Sequence, residues 1–101
     1  MVLTARIQAN KLLAAVTMLK VIAHPVRLAI VDLLTDNKQM TVLEIQEALN
    51  LEQAIASQQI TLMEDKGVLV SKKNGRNKYV SLRFPKMKNI VNCLENCCNG
   101  L

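Results

Sequence analysis

The sequence predicts a mainly α-helical fold carrying one small β-hairpin, an α+β arrangement in a single domain over residues 1–101. Three observations predict it. Half of the residues are hydrophobic, yet Tyr79 and Phe84 are the only aromatic ones. A core made of Leu, Ile, Val, Ala and Met favours helix-on-helix packing over an aromatic-rich sandwich. Apolar residues recur at three- and four-residue spacing along most of the chain, the period of amphipathic helices. Finally, Asn74-Gly75 lies between two short β-prone runs, Gly67-Val68-Leu69-Val70-Ser71 and Tyr79-Val80-Ser81-Leu82. Asn-Gly tolerates the positive φ angles of a type I′ turn, so this dipeptide is the strongest local hairpin signal.

The first predicted helix covers about residues 3–22, a stretch without Gly or Pro in which Ile7, Leu12, Val16, Leu19 and Ile22 keep helical spacing. His24-Pro25 ends it, because proline disfavours the α conformation of the residue before it while suiting the first turn of a new helix. That second helix runs to about Thr35, with Leu28, Ile30, Val31 and Leu34 mostly inward. His24 reads as a helix-start residue, since no second ligand lies near it. After the polar turn Asp36-Asn37-Lys38, Thr41-Val42-Leu43-Glu44 fits a capping box and opens a short helix that ends near Leu49. Asn50-Leu51-Glu52 connects it to a helix over Gln53–Lys66, closed by Gly67. The hairpin follows over about residues 68–83, and Pro85 opens a last helix over about residues 85–98 with Met87, Ile90, Val91 and Leu94 as its apolar stripe. Short helix, three-residue turn, helix and hairpin is the order of a helix-turn-helix, here about residues 41–66, followed by a wing.

Charge narrows the partner. The formal net charge is +5 with pI near 9.4. Residues 66–88 hold most of the basic side chains, and no acid stands between Asp65 and Glu95. The hairpin tip contributes Lys72, Lys73, Arg76 and Lys78, which suit phosphate contacts that carry affinity without reading sequence. An ordinary charged turn protecting an edge strand accounts for two lysines, and less well for the lack of balancing acid. On Gln53–Lys66, Ala56, Ile60 and Met63 face the core with Leu62 or Ile55 beside them. The opposite stripe holds Gln53, Ala54, Ser57, Gln58 and Thr61, all small, hydroxyl or amide side chains. A merely solvated face would be filled with Lys and Glu. An uncharged stripe suits close entry into a major groove, where Gln pairs with adenine and Ser or Thr with bases or phosphates.

The segment Leu19-Lys20-Val21-Ile22-Ala23-His24-Pro25-Val26-Arg27-Leu28-Ala29-Ile30 resembles the opening of the ArsR/SmtB-type winged-helix repressors, with its His-Pro-x-Arg pattern. Ser57-Gln58-Gln59-Ile60, Glu64-Asp65-Lys66-Gly67-Val68-Leu69-Val70 and Gly75-Arg76-Asn77-Lys78-Tyr79-Val80-Ser81-Leu82 look like that family's recognition helix, glycine stop and wing. The match runs from about Leu19 to Leu82, with Gln59 where the family usually has His. The resemblance implies a homodimer, formed by the first and last helices, that binds double-stranded operator DNA and represses transcription. The apolar stripes of both terminal helices independently suggest a dimer, whose recognition helices would meet successive major grooves of a palindrome.

Family members often sense metal through Cys-x-Cys at the start of the helix-turn-helix; Thr41 and Leu43 stand there, so that site is absent. A second family site on the last helix uses Asp, His and Glu, of which this helix has only Glu95. Cys93, Cys97 and Cys98 remain, with Cys93 and Cys97 one helical turn apart. They are candidates for a thiol or metal sensor, against the blander reading of cysteines as small hydrophobes in helical packing. No cofactor is expected. No Gly-rich phosphate loop or nucleophile–base pair suggests an enzyme, and the chain has a single His. No stretch reaches the ~20 apolar residues of a membrane span, and no secretory signal is read. The expectation is therefore a cytoplasmic, DNA-binding transcriptional regulator. The alternative is a winged-helix module that binds an acidic protein surface.

Overall fold

The computed structural model describes residues 6–101. Its elements are α1 (Ala9–Ile22), α2 (Pro25–Asp36), β1 (Met40–Thr41), α3 (Val42–Ala48), α4 (Gln53–Asp65), β2 (Leu69–Asn74), β3 (Asn77–Leu82) and α5 (Met87–Asn99). The strands form one antiparallel sheet in the order β1-β3-β2.

Local chemistry explains most boundaries. Pro25 occupies the first turn of α2, and His24 caps it from an extended conformation, its Nδ1 accepting the Val26 N–H at 3.2 Å. At α3 the capping box is complete: the Glu44 N–H donates to Thr41 Oγ1 at 3.1 Å, and the Thr41 N–H to Glu44 Oε1 at 2.9 Å. Helix α3 ends in a Schellman motif, with N–H of Asn50 on Glu47 O at 3.2 Å and that of Leu51 on Gln46 O at 3.0 Å. Asn50 adopts φ 52° there, a conformation Asn tolerates better than most residues. Helix α4 ends the same way. Gly67 at φ 80° donates to Glu64 O at 3.0 Å and Val68 to Met63 O at 2.9 Å, while the Val68 and Met63 side chains are both fully buried.

Three expectations are corrected. The first helix begins at Ala9, because Gln8 is extended and makes no side-chain cap; residues 3–5 of the expected span lie outside the described residues. The hairpin turn is Gly75-Arg76 rather than Asn74-Gly75. The strands pair out to Asn74↔Asn77, and Gly75 alone has positive φ, at 66°. One positive angle at the first central position is the pattern of a type II′ turn, whereas type I′ requires two. Pro85 belongs to a turn before α5, in which Met87 N–H bonds Phe84 O, and the helix itself starts at Met87. The two-residue strand β1 was not expected. It is held by its pairing with Val80 and Tyr79, which is visible only once the chain has folded.

The core gathers Val21 and Ile22 from the end of α1, Ile30, Val31 and Leu34 from α2, Ile45 from α3, Ile60 and Met63 from α4, and Val68, Leu69, Val80 and Leu82 from the sheet region. Each fully buried aliphatic side chain contributes about 1.5–3 kcal/mol of transfer free energy. This packing lays α4 across the middle of the molecule with one face sealed and the other open.

Candidate nucleic-acid interface

The inner face of α4 is Ala56, Ile60 and Met63, at most 1% exposed. Their spacing turns Gln53, Ala54, Ser57, Gln58 and Thr61 outward, and all five are exposed. Gln53, Ser57 and Thr61 line a groove of about 570 Å³ whose other walls come from α3 (Val42, Leu43, Gln46) and from Lys78 of the wing. The structure thus joins the expected helix stripe to the expected hairpin on one side of the molecule.

Sheet register decides which wing side chains share that side. Directly paired residues point to the same face, so Leu69 with Leu82, Ser71 with Val80 and Lys73 with Lys78 form one face, and Val70, Lys72, Asn74 and their partners the other. Beyond Leu69 every residue of β2 is exposed, so the hairpin projects from the body. Lys72, Lys73 and Arg76 are exposed at its outer half. Lys78 is different. Its Nζ lies 2.9 Å from Glu64 Oε1, with the side chains 38% and 21% exposed. The other carboxylate oxygen, Glu64 Oε2, accepts the Ser71 hydroxyl at 3.3 Å. One cation of the acid-free stretch, Lys78, is therefore paired from outside it, by a carboxylate on α4.

A second interaction supports α4 from behind. Arg27 Nε donates to Gln59 Oε1 at 2.8 Å, and its Nη1 donates to Val21 O at 3.2 Å. The His-Pro-x-Arg arginine thereby joins the ends of α1 and α2 to α4. Sequence reading marked Gln59 only as a substitution for His; its partner, Arg27, lies 32 residues away in sequence.

The metal-ligating arrangements of the resembled family do not fit these residues. Thr41 Oγ1 is committed to the Glu44 N–H, and Leu43 is an exposed alkyl chain. Among the described residues no group of three or more His, Cys, Asp or Glu side chains is placed to hold a metal ion. Cys93, Cys97 and Cys98 are all exposed on α5, which removes the reading of them as buried packing residues within one protomer. The neighbouring Cys93 thiol pushes the Cys97 thiol above the usual range, by charge repulsion and by a thiol–thiol hydrogen bond that favours the neutral form.

With this geometry in place, similarity to known proteins is informative. Residues 22–71, the stretch from the end of α1 into β2, match the family described as "Helix-turn-helix domain". The transcriptional repressor PagR of Bacillus anthracis is 38% identical over 78 residues, which is 77% of this chain and 78% of PagR. The chain belongs to the winged helix-turn-helix repressors of the ArsR/SmtB type. The crystal structure of PagR superposes with a TM-score of 0.79 at 34% identity, covering 86% of this chain and 99% of PagR. HlyU from Vibrio cholerae gives 0.77 at 26% identity over 89% of this chain and 97% of HlyU. The transcriptional repressor BigR from Xylella fastidiosa gives 0.77 at 25% identity over 87% and 89%. This winged helix-turn-helix protein is accordingly a DNA-binding transcriptional regulator. Among the described residues, no single helix is long and apolar enough to cross a membrane.

Proposed function

We propose that the chain acts without catalysis as a cytoplasmic, homodimeric repressor. In this reading α4 enters the major groove of a palindromic operator and reads bases with Gln53, Ser57, Gln58 and Thr61, while Ala54 permits close approach. The wing tip, through Lys72, Lys73 and Arg76, grips the phosphate backbone. One observation carries this reading: the exposed face of α4 from Gln53 to Thr61 has no charged side chain, and it opens onto a groove shared with a cationic hairpin.

The dimer is supported by the terminal helices. Leu13, Val16 and Leu19 of α1 and Leu94 of α5 are exposed apolar residues. Beside them an apolar groove of about 310 Å³ runs between α1 and α5, lined by Ala15, Met18, Leu19, Ile22, Met87 and Ile90 with Phe84. A second copy seated there by two-fold symmetry would hold two α4 helices about 34–36 Å apart, one turn of DNA.

The test is a binding titration of the purified protein against a random-sequence duplex and a duplex enriched from a random pool, each at 50 and 200 mM salt. Three tip cations on each of two wings amount to six phosphate contacts, so affinity for both duplexes is expected to fall about 10³-fold over that range. Arg76→Ala is expected to weaken both duplexes alike, and Gln58→Ala to alter the preference between them. Failure to bind either duplex at 50 mM salt would sink the reading and favour a protein partner.

A further inference from the structure

The clamp between α4 and the wing bears on how specific binding is achieved. Glu64 sits in the last turn of α4, where the apolar contact between helix and hairpin ends. Leu69 and Leu82 are the last fully paired core residues of the hairpin base, and Val80 is the outermost buried one. Beyond that point this face of the two strands carries Lys73 and Lys78 in place of apolar side chains. The two oxygens of Glu64 take over, one on Ser71 of β2 and the other on Lys78 of β3. A single carboxylate thus spans both strands, on the same hairpin face as the core.

Without that contact, Lys73 and Lys78 would be an uncompensated like-charge pair directly across the ladder, which is destabilising. Pairing Lys78 inward leaves Lys73 as the cation on that face free to reach outward. We propose that Glu64 is a positioning residue for DNA recognition, setting the wing's angle to α4 through Ser71 and Lys78, and that Lys78 serves this clamp rather than a DNA phosphate. The inference rests on the reading of α4 and the wing as the DNA-binding surface.

Its test uses the full-length protein, the enriched and random duplexes, and the same titration. Glu64→Gln removes the charge without changing shape and leaves one more uncompensated cation on each wing. Its expected result is slightly tighter binding to the random duplex together with a three- to tenfold loss of preference for the enriched one. Lys78→Glu alone is expected to lose preference more severely. The charge swap, Glu64→Lys with Lys78→Glu, keeps net charge constant and reverses the ion pair; it is expected to recover preference to within about twofold of wild type with an unchanged salt slope. If the swap binds as poorly as Lys78→Glu and its salt slope drops by about 0.9 per wing, Lys78 is a phosphate contact and the proposal is wrong. Unchanged preference in Glu64→Gln would overturn it equally. Arg76→Ala separates the levels. If it lowers affinity while the swap fails, the interface stands without the clamp; if it has no effect on either duplex, the interface reading itself has failed.

Discussion

The middle of the chain and its two ends are built to different standards. From α2 to β3, α2 and α3 start at the His24 cap and a capping box, α3 and α4 end in Schellman motifs, and one face of α4 is sealed. The terminal helices are unfinished by comparison. Like α4, neither α1 nor α5 has a side-chain cap at its N-terminus, but here Leu13, Leu19 and Leu94 are 68%, 53% and 41% exposed. The contrast teaches that the centre is complete in one protomer, whereas the ends leave apolar surface that a second copy would bury.

The largest effect should come from the sealed face. Ile60→Ala creates a cavity at a site 1% exposed and is expected to cost about 2–5 kcal/mol, read as a lower midpoint in urea denaturation. A cost below 1 kcal/mol would mean that the surroundings of Ile60 collapse to fill the space it leaves. Leu13→Lys acts on the other region. It is expected to change protomer stability by no more than about 0.5 kcal/mol, as surface changes do, while shifting the dimer toward monomer in sedimentation analysis. A dimer unaffected by this charge would move the interface away from α1. The smallest effect concerns α5. Since charge on Cys93 holds the Cys97 thiol above its usual range, Cys93→Ser should make Cys97 alkylate faster at alkaline pH, as followed by mass spectrometry. An unchanged rate would show that the two thiols do not interact.

Legibility in the sequence followed the range of the interaction. The Thr41 capping box, the Gly67 stop and the alternation of inner and outer residues on α4 depend on neighbours within four positions, and all were readable. The hairpin was readable, but its turn was displaced by one residue. The Asn-Gly preference is a local signal, whereas the ladder out to Asn74↔Asn77 set the outcome. Strand β1 is too short to carry a period and exists through its pairing with β3. The clamp at Glu64 was invisible for a related reason. Lys78 lies far along the chain from Glu64, and whether the two share a face depends on a register that no local pattern specifies. Charge counted along the chain groups Lys78 with the tip cations and cannot show the Glu64 carboxylate 2.9 Å from its Nζ.

Gly67 and Val68 have a consequence for measurement at the scale of DNA. The backbone leaves α4 and enters the hairpin within these residues, and Arg83 N–H on Val68 O, at 3.0 Å, ties the return strand to the same joint. Only Lys66, Gly67 and Val68 separate the last residue of α4 from the first residue of β2. Each residue of an α-helix advances the chain by about 1.5 Å and turns it by about 100°. In the proposed binding mode the joint works as a ruler, setting the offset from groove to backbone by residue count.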